Sequence, residues 1–121
     1  TTLMWLKTLL VILLGIFFIL NGINHFYNTK MLEEYAHKRG LFSPRISVQL
    51  AGFLLIGGGI ALMIKQVQII GVIGLSVFLI MATFTIHRYW EEEDKYDRML
   101  ESMNFAKNLA ILTELLYIGF V

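Results

Sequence analysis

Four long apolar stretches organise the chain, separated by two polar connectors and one very short turn. They run from about residue 3 to 24, 46 to 64, 67 to 87 and 103 to 121. Each approaches the roughly 20 mostly apolar residues that cross a hydrocarbon core about 30 Å thick, at about 1.5 Å per helical residue. The pattern predicts an all-α, integral membrane four-helix bundle, one domain spanning residues 1–121. Buried core helices of a soluble protein are the competing reading, but four near-spanning runs in so short a chain argue against it. The first run is longer than a signal-peptide core and lacks a small-residue cleavage site, so it reads as a retained helix. Only about Lys65–Gln66 separates the second and third runs, which predicts a tight antiparallel hairpin.

The connectors carry their own patterns. In "TKMLEEYAHKRG" Met31, Leu32, Tyr35 and Ala36 share a face at helical spacing, Gly40 suits a helix end, and Pro44 opens the second span. This predicts a short amphipathic helix at the bilayer surface between helices 1 and 2, with a solvated loop as the alternative. In "FTIHRYWEEEDKYDR", residues 84–98, the apolar run stops at His87 and four acids follow Trp90. Tyr89 and Trp90 suit interface anchors where the helix leaves the bilayer. Residues 88–102 are expected to extend the third helix, with Glu92→Tyr96 and Asp94→Arg98 steps. The latter would be a surface pair worth roughly a few tenths of a kcal/mol.

Composition sharpens the class. Of 121 residues 57% are hydrophobic and 16% charged, and the mean hydropathy is +0.69; a soluble domain averages about 25% charged. A net charge of +1 without a basic block gives no case for nucleic acid. The absence of cysteine excludes disulfides, CxxC chemistry and thiolate metal sites. Basic residues Lys30, Lys38, Arg39, Arg45, Arg88, Lys95, Arg98 and Lys107 lie toward the connectors, against Lys7 and Lys65 at the other end. That bias predicts that connectors 25–45 and 88–102 are cytoplasmic and both termini outside.

Polar groups inside hydrocarbon need a partner or a task. Asn21, Asn24 and His25 share one face near the end of span one. Arg45 and Gln49 open span two, Thr83 and His87 close span three, and Asn104, Lys107 and Asn108 open span four. Odd spans end and even spans begin at one membrane face, so these clusters converge there. The expectation is a polar pocket of Asn21, Asn24, His25, Arg45, His87, Lys107 and Asn108, floored by Glu114; simple cross-helix hydrogen bonding and snorkelling are the alternative. Lys107 and Glu114 share a face but differ in depth by about 10 Å. Glu114 is too deep to snorkel and calls for a proton, a cation or a facing subunit. His25 and His87 invite comparison with axial haem ligands, yet two histidines are a thin signal and no third ligand has fitting spacing. No metal and no intrinsic cofactor are expected, and no nucleophile elbow, phosphate loop or dinucleotide fingerprint occurs. Gly52, Gly57, Gly58, Gly59, Gly71 and Gly74 permit close helix contact.

Three blocks together resemble the DoxX family of small four-helix membrane proteins: "YAHKRGLFSPRISVQLAGFLLIGGGIALMI" (35–64), "ATFTIHRYW" (82–90) and "NFAKNLAIL" (104–112). Two positions depart: Ala51-Gly52-Phe53 stands where the family often has an acid, and Thr113-Glu114 where it often has Gly-Gly. The resemblance implies an accessory integral-membrane subunit of a larger, redox-linked complex in a prokaryotic cytoplasmic membrane. It would contact lipid and other membrane subunits, with quinone or lipid as bound molecules. The alternative is a stand-alone quinone-interacting oxidoreductase. On this resemblance His87, Trp90, Lys107 and Asn108 are motif positions, and no catalytic residue is assigned.

Overall fold

In a computed structural model that describes residues 3–121, the chain forms five α-helices: α1 (Met4–Tyr27), α2 (Thr29–Lys38), α3 (Pro44–Leu62), α4 (Gln68–Thr85) and α5 (Lys95–Phe120). No strand occurs among the described residues. Thr1 and Thr2 lie outside them, and with them the expected placement of the N-terminus. Three segments are long and apolar enough to cross a membrane: Met4–Tyr27, Pro44–Leu62 and Lys65–Glu91, the last containing α4. α5 also carries Lys95, Asp97, Arg98, Glu101, Lys107 and Glu114 along its length.

Local chemistry sets the boundaries. Pro44 occupies the first turn of α3, where its missing N–H is no loss and its fixed φ suits a helix. Gly40 follows α2 at φ 83°, the left-handed region that glycine enters without strain. Lys65–Val67 forms a single 3-10 turn between α3 and α4. The expected extension of the third helix does not form. α4 stops at Thr85, a 3-10 turn covers Tyr89–Glu91, and α5 begins at Lys95, so residues 95–102 belong to the last helix. The reason lies in Asp94, whose carboxylate accepts from the Asp97 N–H at 3.0 Å and caps α5. It forms no ion pair with Arg98, and Glu92 pairs with Arg39 instead of stepping to Tyr96.

α1 packs along α3, α3 on α4, and α4 on α5. The α1–α3 contact is backbone against backbone. A Cβ on Gly15 would meet the Gly59 carbonyl oxygen at 2.9 Å, and one on Gly22 would meet that of Gly52 at 2.7 Å. Both pairs are seven residues apart on their helices, two turns, so antiparallel neighbours touch twice in register. Gly71 against the Gly58 carbonyl oxygen closes the α3–α4 hairpin in the same way, while Gly58 makes room for the Leu75 side chain. Gly57 meets nothing and Gly74 only an ordinary contact, so these two glycines do not mediate close approach. One core joins all four long helices: Val11 and Phe18 of α1, Leu55 and Leu62 of α3, Val72, Leu75 and Leu79 of α4, and Leu115 of α5. On α2, Ala36 is buried, Leu32 and Tyr35 are half-buried, and Met31 is exposed.

Candidate functional site

At the connector end the fold buries a carboxylate. Glu101 has no exposed surface, and four side chains from three parts of the chain converge on it. Tyr35 of α2 donates its hydroxyl to Oε2. Arg39, just past α2, donates from Nε at 2.9 Å and Nη2 at 2.8 Å to the same oxygen. His87 Nδ1 lies 3.0 Å from Oε1, and Asn104 Nδ2 donates to Oε1 at 2.9 Å. Arg39 also reaches Glu92 at 3.1 Å and stacks over the Tyr35 ring at 4.9 Å. Arg88 ties its guanidinium to the Arg39 carbonyl oxygen at 3.0 Å and to Glu91 at 3.2 Å. The connector after α4 is held from its other side by rings, with Tyr89 and Trp90 packed edge-on against Phe105 at 5.4 and 5.7 Å.

Burial alone would push the Glu101 carboxyl up, but hydrogen bonds from Tyr35, Asn104, His87 and Arg39 outweigh it and hold the group at about 2. Glu101 is therefore an anion at neutral pH. Burial and the bond to that anion push the Tyr35 hydroxyl up, so it stays protonated and donating. This is a charge-assisted network in which the acceptor is fully satisfied.

Beneath the network lies a cavity of about 760 Å³, lined by all five helices. Pockets of roughly 300–1,000 Å³ hold drug-sized ligands. Its walls are largely apolar, including Phe18, Leu55, Phe78 and Ile111, while Asn21, Asn24, His25, Tyr35, His87, Lys107 and Asn108 gather polar groups in it. Leu50 and Leu54 of α3 and Val77 and Met81 of α4 line the same space yet are exposed on the outside. The cavity wall thus includes apolar side chains that are also exposed at the surface of α3 and α4.

Six of the eight pocket candidates from the sequence thus share one cavity: Asn21, Asn24, His25, His87, Lys107 and Asn108. Arg45 is exposed and outside the lining. Glu114 does not floor the pocket. Glu101, Asn108 and Leu115, seven apart, form the buried face of α5, whereas Glu114 is exposed and outside the cavity lining. Among the described residues no group of three His, Cys, Asp or Glu side chains could hold a metal ion.

Sequence reasoning missed Glu101, Arg39, Tyr35 and Glu92. The one available signal was the heptad step from Asn108 back to Glu101, which places that acid on a motif residue's face. DoxX matches residues 6–88, covering α1 to α4 and the start of the second connector. The block at 104–112, with Lys107 and Asn108, lies beyond the matched stretch. Comparison with curated proteins and with solved structures gives no match. With more than half of its length matched, and with apolar helices packed as an integral membrane protein requires, the chain belongs to the DoxX family.

Proposed function

We propose that this chain is an accessory membrane subunit of a redox-linked complex, and that it holds an amphipathic molecule, a quinone or a lipid, in its cavity. The single observation that carries the reading is the cavity itself. It gathers polar groups from α1, the turn after α4, and α5 at its connector end and lines the remainder with apolar side chains. A polar head with an apolar tail matches that division. The reading takes the apolar part of α5 as a fourth span and α2 as lying at the membrane surface. The basic connectors then face the cytoplasm. Glu114, outward on α5 with no protein partner among the described residues, is the contact for a neighbouring subunit.

Extraction of the intact chain from its membrane into mild detergent or nanodiscs tests this directly. Co-purifying membrane subunits, with an extractable quinone or lipid in stoichiometric amount, support the reading; a chain that runs alone and empty refutes it. A stand-alone quinone-interacting enzyme is favoured by one further observation, that His25 and His87 line the same cavity as Lys107 and Asn108. Quinone-dependent turnover by the isolated chain, abolished in His87→Ala, would select that reading; turnover unaffected by the substitution would remove it.

A further inference from the structure

Both cavity histidines have the same ring nitrogen committed. His25 Nδ1 lies 2.7 Å from the Asn21 carbonyl oxygen, which only accepts, so Nδ1 carries the hydrogen. His87 Nδ1 lies 3.0 Å from Glu101 Oε1, and an ionised carboxylate likewise only accepts. A neutral imidazole with its hydrogen on Nδ1 accepts at Nε2, and neither Nε2 has a protein partner among the described residues. A third group waits beside them. Asn108 is 6% exposed and lines the cavity, and its side-chain amide makes no hydrogen bond to the described residues while not being among the fully buried unpartnered groups, so it is reached from the cavity. An amide open to the cavity has both a donor and an acceptor free for a ligand's polar atom.

We propose that the cavity selects a ring head bearing hydroxyl hydrogens, a hydroquinone or related phenol, over the matching carbonyl form. His25 and His87 accept from the hydroxyls through Nε2, and Asn108 bonds the ring's oxygen. Glu101 is the positioning residue: it touches no ligand but fixes the His87 tautomer, as a carboxylate behind a histidine does. The same buried anion disfavours a phosphate head, which would bring a second negative charge beside it. Lys107 is the one cation in the lining and would favour an acceptor, but it is exposed, so its ammonium keeps its water at the rim.

The proposal rests on the reading that the cavity holds an amphipathic ligand, and binding measurements separate the two. The full chain in phosphatidylcholine nanodiscs is titrated anaerobically with a short-tailed hydroquinone, then with the matching quinone, with phosphatidic acid as competitor. The expected result is hydroquinone binding at least about tenfold tighter, since one unmatched acceptor is worth about that factor. His87→Ala and Glu101→Gln lower the ratio severalfold, the double variant His25→Ala with His87→Ala brings it close to one, and Glu101→Asp restores part of it. Nitrogen NMR of labelled histidine reads the cause independently of overall fold: His87 carries its hydrogen on Nδ1, and hydroquinone shifts Nε2. Equal affinities, a preference for the quinone, displacement by phosphatidic acid, or an Nε2–H tautomer at His87 would overturn the proposal while the cavity reading stands. Binding of neither ring would overturn both.

Discussion

Replacing Glu101 with alanine removes the acceptor of five hydrogen bonds and leaves Tyr35, Arg39, His87 and Asn104 facing a void. Two routes give the magnitude. Removing one partner of a buried ion pair costs about 3–5 kcal/mol. Arg39 keeps Glu92 at 3.1 Å as a second partner, which places the loss at the lower end. Separately, a carboxyl held at about 2 against an ordinary 4.5 favours the ionised network by about 3 kcal/mol at neutral pH. On the scaling of water-soluble domains of this length, that lowers the unfolding midpoint by about 10 °C. Thermal unfolding in detergent, with proteolysis of the 86–94 segment as a local readout, measures it. A Glu101→Ala midpoint within about a degree of the parent, with the connector still protected, would refute the network as the clamp on this end of the fold.

The same network has a pH signature of fixed sign. The folded Glu101 carboxyl titrates below its unfolded value, so its stabilisation is fully present above about pH 4.5 and is lost as pH falls toward 2. Glu101→Gln has no such group to titrate. The stability gap between parent and Glu101→Gln is therefore expected to be constant near neutrality and to close between about pH 4.5 and 2. A gap that persists at pH 2 would show that charge is not its origin.

Three further substitutions have expected signs. Gly59→Ala places a methyl 2.7 Å from the Gly15 carbonyl oxygen, whereas Gly57→Ala meets nothing; the first destabilises by about 1–3 kcal/mol and the second is neutral or slightly stabilising, read as paired thermal midpoints. Thr83 is 1% exposed and its hydroxyl has no partner, so Thr83→Val, of equal shape, leaves stability unchanged or raises it by up to about 1 kcal/mol in the same assay. Glu114 is exposed on α5, so Glu114→Leu is expected to leave the isolated chain's midpoint unaltered, and on the proposed subunit contact it lowers recovery of co-purifying subunits in mild detergent.

Hydropathy made the spans legible because it is a local property that the bilayer length scale amplifies. α1, α3 and α4 fall within a few residues of the apolar runs. The polar convergence was legible for a topological reason: alternating helices must return to one face, and six of eight candidates share a cavity there. The failures have a different origin. Glu101 bonds Tyr35 and Arg39 across 66 and 62 positions of chain, and it sits among other acids that remain in water. Only the heptad step to Asn108 distinguishes the carboxylate that is buried. Glu114 failed by angle, since adjacent helical residues differ by about 100° and only a neighbour known to be buried, Leu115, settles which side is inner.

The two ends of the α3–α4 hairpin are packed differently, and the cavity lies at the less tightly packed end. Where α3 turns into α4, Gly58, Gly71 and Leu62 let backbones touch, and Leu62, Val72 and Leu75 are fully buried. Toward the connectors the residues facing between these helices are Leu54, Ala51, Phe78 and Ala82, with no paired glycines, and the cavity opens there. A helix pair without close glycine contacts at one end is held weakly there, because apolar packing has little driving force inside lipid. Glu101 supplies the missing restraint with polar bonds, joining α2, the turn after α4, and α5 across the mouth. The clamp and the cavity are thus one design. Weakening the network should widen the space before it unfolds the chain, so Glu101→Gln is expected to speed ligand exchange at temperatures well below its unfolding midpoint. Stopped-flow displacement of bound hydroquinone checks this, and an exchange rate equal to the parent's would separate the clamp from the cavity.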